Sequence, residues 1–481
     1  MNAPRCPSRC GHRHFLGTSP GAPALAPALV FAALLAGFGT AHAQTATPPR
    51  VANATSVEGT AYVTRADGRQ SILARGSALG VGDALTTTRN STVRLRFTDG
   101  GETAIRPDSR ITVQAYNYTR EEPQSDSLVL GLLKGGLRAI TGSIGKRGNV
   151  DAYKLQVSTA TIGIRGTDYT ARLCNNDCTP GGESAERSSR PNSGPPVIAR
   201  LMQAQGTVTV ERDTRQIEVA PGAALYASDR VATAPGGHAV LGFRDDSRVT
   251  LNSGTRLALA QFSFDAAQPA RGNMLLQLLS GGLRVATGLI AKAAPRQVQF
   301  KTSTATVGIR GTVFDLACGK AEASDNPPEA DLTDAQCDQS LFASTRAGEI
   351  TLASSDGREV AIPAGQAGMV PAGQSSARPL ASTPVYFNTL STPAPESVEL
   401  NLEQQFGTAP PAQPQEGSVY LMVREGRVVI EQGGQTLPLD AGESAYAGQS
   451  LPPVRLASTP VLLDRDPALS NRVFNFNICR P

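Results

Sequence analysis

The sequence predicts an all-β protein: two duplicated β domains, built as sandwiches or as short β-rolls or solenoids, followed by a small C-terminal β unit. Three observations carry that expectation. Glycine (48) and proline (34) are abundant among 481 residues, while apolar residues alternate in short runs. Strand and turn signals follow one another closely, which is the rhythm of sheets. One decapeptide also occurs twice, STATIGIRGT at 158–167 and STATVGIRGT at 303–312, with Ile exchanged for Val.

Arg5, Arg9 and Arg13 stand ahead of an apolar run at 23–39, and Ala-His-Ala follows at 41–43. That order is expected of a cleaved secretory signal peptide over residues 1–43. The Ala-rich run is short for a membrane anchor, and no later stretch reaches 18 apolar residues, so no membrane-spanning segment is expected in the mature chain. Loss of the leader removes three Arg and no acid, lowering the net charge from +4 to +1. A near-neutral chain lacks the basic footprint of a nucleic-acid binder, and no nucleic-acid partner is expected.

The first β domain is placed at 50–174. STVRLRFTDG (91–100) sets Val93, Leu95 and Phe97 on one face of a strand and Arg94 and Arg96 on the other. HAVLGFRDDSRVTLNSGTRLAL (238–259) repeats that rhythm in a second domain at 197–390. Leu95, Phe97, Ile105, Tyr116 and Tyr118 are matched by Leu241, Phe243, Leu251, Phe262 and Phe264, and Gly135–Arg138 by Gly281–Arg284. A smaller strand–turn–strand unit recurs at 206–227, 348–370 and 426–448, with a weaker version at 57–79. The unit at 206–227 is a candidate for ending the first copy as well as opening the second. A flexible linker is expected at 175–196 and a second linker at 391–416, the latter with a short helix near 396–405, and a loop insertion at 319–336. The small β unit would span 417–463, with a tail at 464–481. ASTPVYF (381–387) and ASTPVLL (457–463) echo one another, so both end regions should terminate alike.

Cys6 and Cys10 fall in the leader and Cys479 stands alone near the C-terminus. Cys174 with Cys178 and Cys318 with Cys337 are candidate disulfides in an oxidising compartment. Zinc is the competing reading, but C-x3-C without a second pair or a nearby His is a poor metal signature, so no metal or other cofactor is expected.

In the repeated decapeptide, Gly163 and Gly308 are expected to permit a bulge or bend. Gly166 and Gly311 offer a second conformational freedom. Arg165 and Arg310 would cap carbonyls or meet a buried acid across the bend, with Thr167 and Thr312 completing a structural element. A guanidinium between glycines also suits carboxylate or phosphate, making Arg165 and Arg310 the ligand-binding candidates. Against a duplicated chemical site, Asp168 in one copy is Val313 in the other.

The ordered set of motifs resembles a tandem FecR-domain protein. The resemblance rests on Gly82–Thr87, the Phe97-Thr98-Asp99-Gly100 turn and Leu132–Arg138. It rests also on the strands Ser158–Tyr169 and Ser303–Phe314, and on closing units at 201–222, 342–366 and 421–443. The family's iron-signalling members pair a cytoplasmic anti-sigma region and a membrane helix with a periplasmic FecR domain that receives a signal from an outer-membrane receptor. Ahead of residue 43 this sequence has no room for such a region, so the resemblance implies the extracytoplasmic β module without it.

Catalytic residues are scarce. After the leader only His238 remains, and no metalloprotease, serine-hydrolase or phosphate-loop motif is present. Asp99 with Glu102, Glu121-Glu122 and Asp245-Asp246 read as solvated loop acids. No catalytic residue is therefore assigned. The expected function is a non-catalytic binding or scaffold protein of the periplasm or cell surface, contacting another envelope protein or a surface polymer. The alternatives are a sensor partner of an outer-membrane receptor and a polysaccharide-binding or degrading protein. With nine Tyr and no Trp, the last has little material for stacking on sugars.

Overall fold

Alternation becomes strand where it was predicted. In Thr92–Phe97 the side chains of Val93, Leu95 and Phe97 are buried while Arg96 is exposed, and Ala52–Glu58 lies antiparallel to it. The structure is a computed structural model that describes residues 49–149, 151–175, 177–178, 195–320, 324–332, 335–354, 357–372, 376–449, 451–464 and 466–469. The predicted leader, most of the 175–196 linker, part of the 319–336 insertion and most of the 464–481 tail, including Cys479, lie outside the described residues.

Those residues form two large sheets and four short α-helices, so the fold is all-β. Each sheet curls around its own core. In the first, the long strand Ser127–Ile140 pairs in parallel with Tyr153–Gln156 and antiparallel with Thr161–Leu173, which itself pairs with Tyr153–Gln156. In the second, Asn273–Ser280 and Val298–Lys301 make the equivalent parallel pair beside Ala305–Gly319. The duplication read from the sequence is thus a duplication of strand pairing. Gly135 and Gly281 take left-handed φ values of 76° and 76° at the same point of each copy.

The small C-terminal β unit is present as Val419–Gln432, Gln435–Asp440 and Ser444–Ala447, with Val454–Leu456 beyond. It is hydrogen-bonded into the first sheet: Val419–Gln432 runs antiparallel along Thr161–Leu173, from Thr161 opposite Glu431 to Leu173 opposite Val419. In the second sheet the same position is filled by Ser340–Ser354 against Ala305–Gly319. The unit at 206–227 pairs only within the second sheet, so it does not end the first copy. The reason is in the core. Val419, Leu421, Val423, Val428 and Ile430 are buried among Ile162, Ile164 and Tyr169, and each such side chain contributes about 1.5–3 kcal/mol when withdrawn from water.

The helix expected near 396–405 forms as a 3-10 turn at Pro395–Ser397 and a short α-helix at Leu402–Phe406. Asn401 caps that helix by accepting a hydrogen bond from the Gln404 amide. Among the described residues no helix is long and apolar enough to cross a membrane.

Candidate binding surface at the two RGT bends

The first RGT strand stays in register through Gly163, which faces Val429, and the second through Gly308, which faces Thr351. The bend expected at these glycines is absent. It comes three residues later, where the pairing jumps from Arg165–Arg427 to Asp168–Glu425 and from Arg310–Glu349 to Val313–Ala347. Two residues on one strand then oppose a single glycine on the other, which is a β-bulge. Gly166 and Gly311 take φ of 56° and 62°, and the opposing Gly426 and Gly348 take 81° and 75°. A Cβ on Gly426 would stand 2.3 Å from the Gly166 carbonyl oxygen, and one on Gly348 2.4 Å from that of Gly311. Glycine is required on both sides because one side supplies the left-handed turn and the other the close approach.

Threonine then locks the bulge. The Thr167 hydroxyl lies 2.8 Å from the Arg165 carbonyl and 2.9 Å from that of Arg427, and the Thr141 hydroxyl accepts from the Thr167 amide at 2.9 Å. In the second copy the Thr287 hydroxyl accepts from the Thr312 amide at 3.0 Å. The arginine between the glycines points outward. Arg165 is exposed opposite Arg427, whose guanidinium turns to Asp440 at 2.7 Å. Arg310 is 81% exposed and lies 3.7 Å from Glu349. Neither arginine reaches a buried acid, contrary to the sequence expectation, because the strand alternation puts both on the solvent side. Beside Arg310 opens a polar groove of about 960 Å³, with Gln299, Thr306, Glu349 and Thr351 among its lining residues.

The acids beside the two RGT strands belong to other arginines, which the sequence reading missed. Asp168 accepts two hydrogen bonds from Arg138, at 2.8 and 2.6 Å, and Arg424 lies 3.8 Å away. In the second domain Asp315 accepts from Arg284 and from Arg346, each at 2.6 Å. Arg138 matches Arg284, and Arg424 matches Arg346 through the pairing of the closing strands. The acid is therefore kept in both copies, shifted by two residues along the strand, so comparing Asp168 with Val313 concealed it. Burial pulls the Arg424 guanidinium down to about 9, with Arg138 adding to the effect and Asp168 opposing it. Arg138 also donates to the Leu469 carbonyl, and Arg284 and Arg346 to that of Phe387. These carbonyls lie on the chain that follows the two ASTPV echoes. The arginine after Gly-Gly-Leu in both copies, and Arg-x-Gly at 424–426 and 346–348, were the available signals.

A further cluster joins the two domains. Glu443 is bonded by Arg200 and lies 2.8 Å from Arg455, and its other oxygen accepts from the Asp440 amide at 2.8 Å. Arg200 also donates to the carbonyls of Gln405 and Gly222. Tyr226 donates to the Ala441 carbonyl at 2.6 Å, and Arg244 stacks over Phe406.

The acids read as solvated are in part buried. Asp99 accepts from the amides of Gly101 and Ile144, and Asp245 from the amide and hydroxyl of Ser247, so each holds a turn together. Disulfides join Cys174 to Cys178 and Cys318 to Cys337. Among the described residues no group of three or more His, Cys, Asp or Glu side chains is placed to hold a metal ion.

Two copies of one curled sheet, each carrying the same bulge and the same arginine-clasped acid, define a duplicated, disulfide-bearing β protein. The family model described as FecR protein matches residues 83–179 and 229–330, one region in each copy. Two such regions in one chain are consistent with a tandem FecR-domain protein. No curated protein matches it. Two crystal structures of a protein described as an anti-sigma factor, from Parabacteroides distasonis ATCC 8503, are similar to part of it. One is 15% identical with a TM-score of 0.25 and the other 14% with 0.24, each likeness covering 33% of this chain. The match spans 62% of the length of each of those chains.

Proposed function

We propose that this protein is a non-catalytic binding or scaffold protein of the periplasm or cell surface, with FecR-like domains at 50–174 and 197–390 making contacts to another envelope protein. The two FecR matches support a signalling-related role, and the two disulfides fit an extracytoplasmic location. One observation carries the reading. The buried charges are engaged in Arg–carboxylate clasps that hold strands together, whereas the outward guanidinium of Arg310 borders an open polar groove. Groups arranged in that way recognise a surface; they do not activate a nucleophile.

In-cell crosslinking followed by pull-down from the envelope tests this, comparing the natural chain with Arg310→Glu. A reproducible protein partner whose capture falls with Arg310→Glu supports the reading. Capture of polysaccharide alone, or turnover of a substrate by the purified protein, overturns it. An outer-membrane receptor as the partner would make the protein a sensor component.

A further inference from the structure

We infer that residues 417–469 are the second half of the first domain, that the domain at 197–390 is an insertion between the two halves, and that this terminal segment governs both the closure of the first domain and the seating of the second. The two domains close differently. The second takes its closing strand, Ser340–Ser354, from the chain that follows its own RGT strand, Ala305–Gly319. The first RGT strand ends at Leu173, and its partner begins only at Val419, with the whole second domain between.

The segment is built into the first core. Val419, Leu421, Val423, Val428 and Ile430 all belong to the same buried cluster as Ile162, Ile164 and Tyr169. Its end is held to the same domain, with Asp466 2.8 Å from Arg106 and the Leu469 carbonyl accepting from Arg138. The second domain grips the opposite side of the segment. Arg200 bonds Glu443, Tyr226 donates to the Ala441 carbonyl, and Arg244 donates to the Ala457 carbonyl at 3.1 Å. Detachment would leave Thr161–Leu173 as an open edge beside an uncovered apolar face, the condition under which a strand seeks another partner. The second domain would lose contacts at its margin while keeping its own closing strand and core.

The test uses the full-length chain, folded first and cut afterwards. A protease recognition sequence is inserted between Ala412 and Gln413, both exposed in the linker. After cleavage the two pieces are expected to co-elute on a sizing column. Amide exchange is then followed by mass spectrometry as urea is raised. Release of the 413–481 piece should coincide with at least tenfold faster exchange in 128–140 and 161–173, while 305–319 and 340–354 keep their protection. Release that leaves 161–173 protected overturns the inference. So does loss of protection in both domains at the same urea concentration, since the second domain would then not stand alone. The outcome does not depend on which partner the protein binds.

Discussion

At the level of single residues, the bulge glycines are not equivalent, and the difference can be measured. Gly311 takes a left-handed φ of 62° with nothing within 4 Å of a would-be Cβ, so Gly311→Ala carries only conformational strain, about 1–2 kcal/mol. Gly348 has φ of 75° and a backbone oxygen 2.4 Å from the same point, so Gly348→Ala must also move the facing strand. We expect it to cost about 1–3 kcal/mol more than Gly311→Ala in urea unfolding. Equal costs would show that the back-to-back contact contributes nothing. Asp245 yields a prediction with a pH sign. Burial pushes its carboxyl above the ordinary 3.8, against the hydrogen bonds from Ser247. The folded state therefore holds the proton more tightly than the unfolded chain does. That stabilisation is complete below the unfolded value and is lost as pH rises through the folded one. Asp245→Asn cannot titrate. The stability of the natural chain relative to this variant should therefore rise as pH falls from 7 toward 4. A difference that is flat or reversed over that range would remove the burial argument.

Among the elements, the second RGT strand is tied at its end by Cys318–Cys337, a sequence separation of 19, and the first by Cys174–Cys178, a separation of 4. A cross-link restricts the unfolded chain more when it closes a longer loop, by about 3 kcal/mol for the longer and about 2 for the shorter. The double replacement of Cys318 and Cys337 by Ser should accordingly lower stability by more than that of Cys174 and Cys178. The check is paired urea titrations of the two variants, and an inverted order would count against the loop argument. How much of each element was legible in the sequence follows from the range of the forces involved. Val93, Leu95 and Phe97 announced a strand because alternation is local, and the repeated RGT announced duplication because identical residues rebuild identical turns. The bulge was misplaced at Gly163 because a glycine shows where the backbone is free, not which freedom is used. Asp168 and Asp315 were overlooked as counterparts because their shared surroundings are made by Arg138, Arg284, Arg346 and Arg424, on other strands. No window of sequence contains such a clasp.

Across the whole molecule, the least legible feature is that strands near the C-terminus complete the first domain, since nothing in Val419–Gln432 says which RGT strand it will join. The junction that accompanies this pairing can be tested through one carboxylate. Glu443 is 6% exposed and sits between Arg200 and Arg455, so the cluster already holds two cations against one anion. Burial pulls the Arg455 guanidinium down, Glu443 holds it up, and Arg200 adds to the lowering. Glu443→Gln keeps the shape and leaves two buried cations without their anion. Removing one partner of a buried pair costs about 3–5 kcal/mol, far more than the intact pair contributes relative to apolar packing. The cost should fall at the junction first, because Arg200 stands on the second domain and Glu443 on the segment that closes the first. We therefore expect faster proteolysis of the 391–416 linker and lost amide protection at 402–406 and 444–447, at urea concentrations where 305–319 stays protected. If protection at 402–406 were unchanged in Glu443→Gln, the ion cluster would not be what seats the two domains. Arg310→Ala, made in parallel, removes an exposed guanidinium with only a long surface pair and should leave these protections as they were.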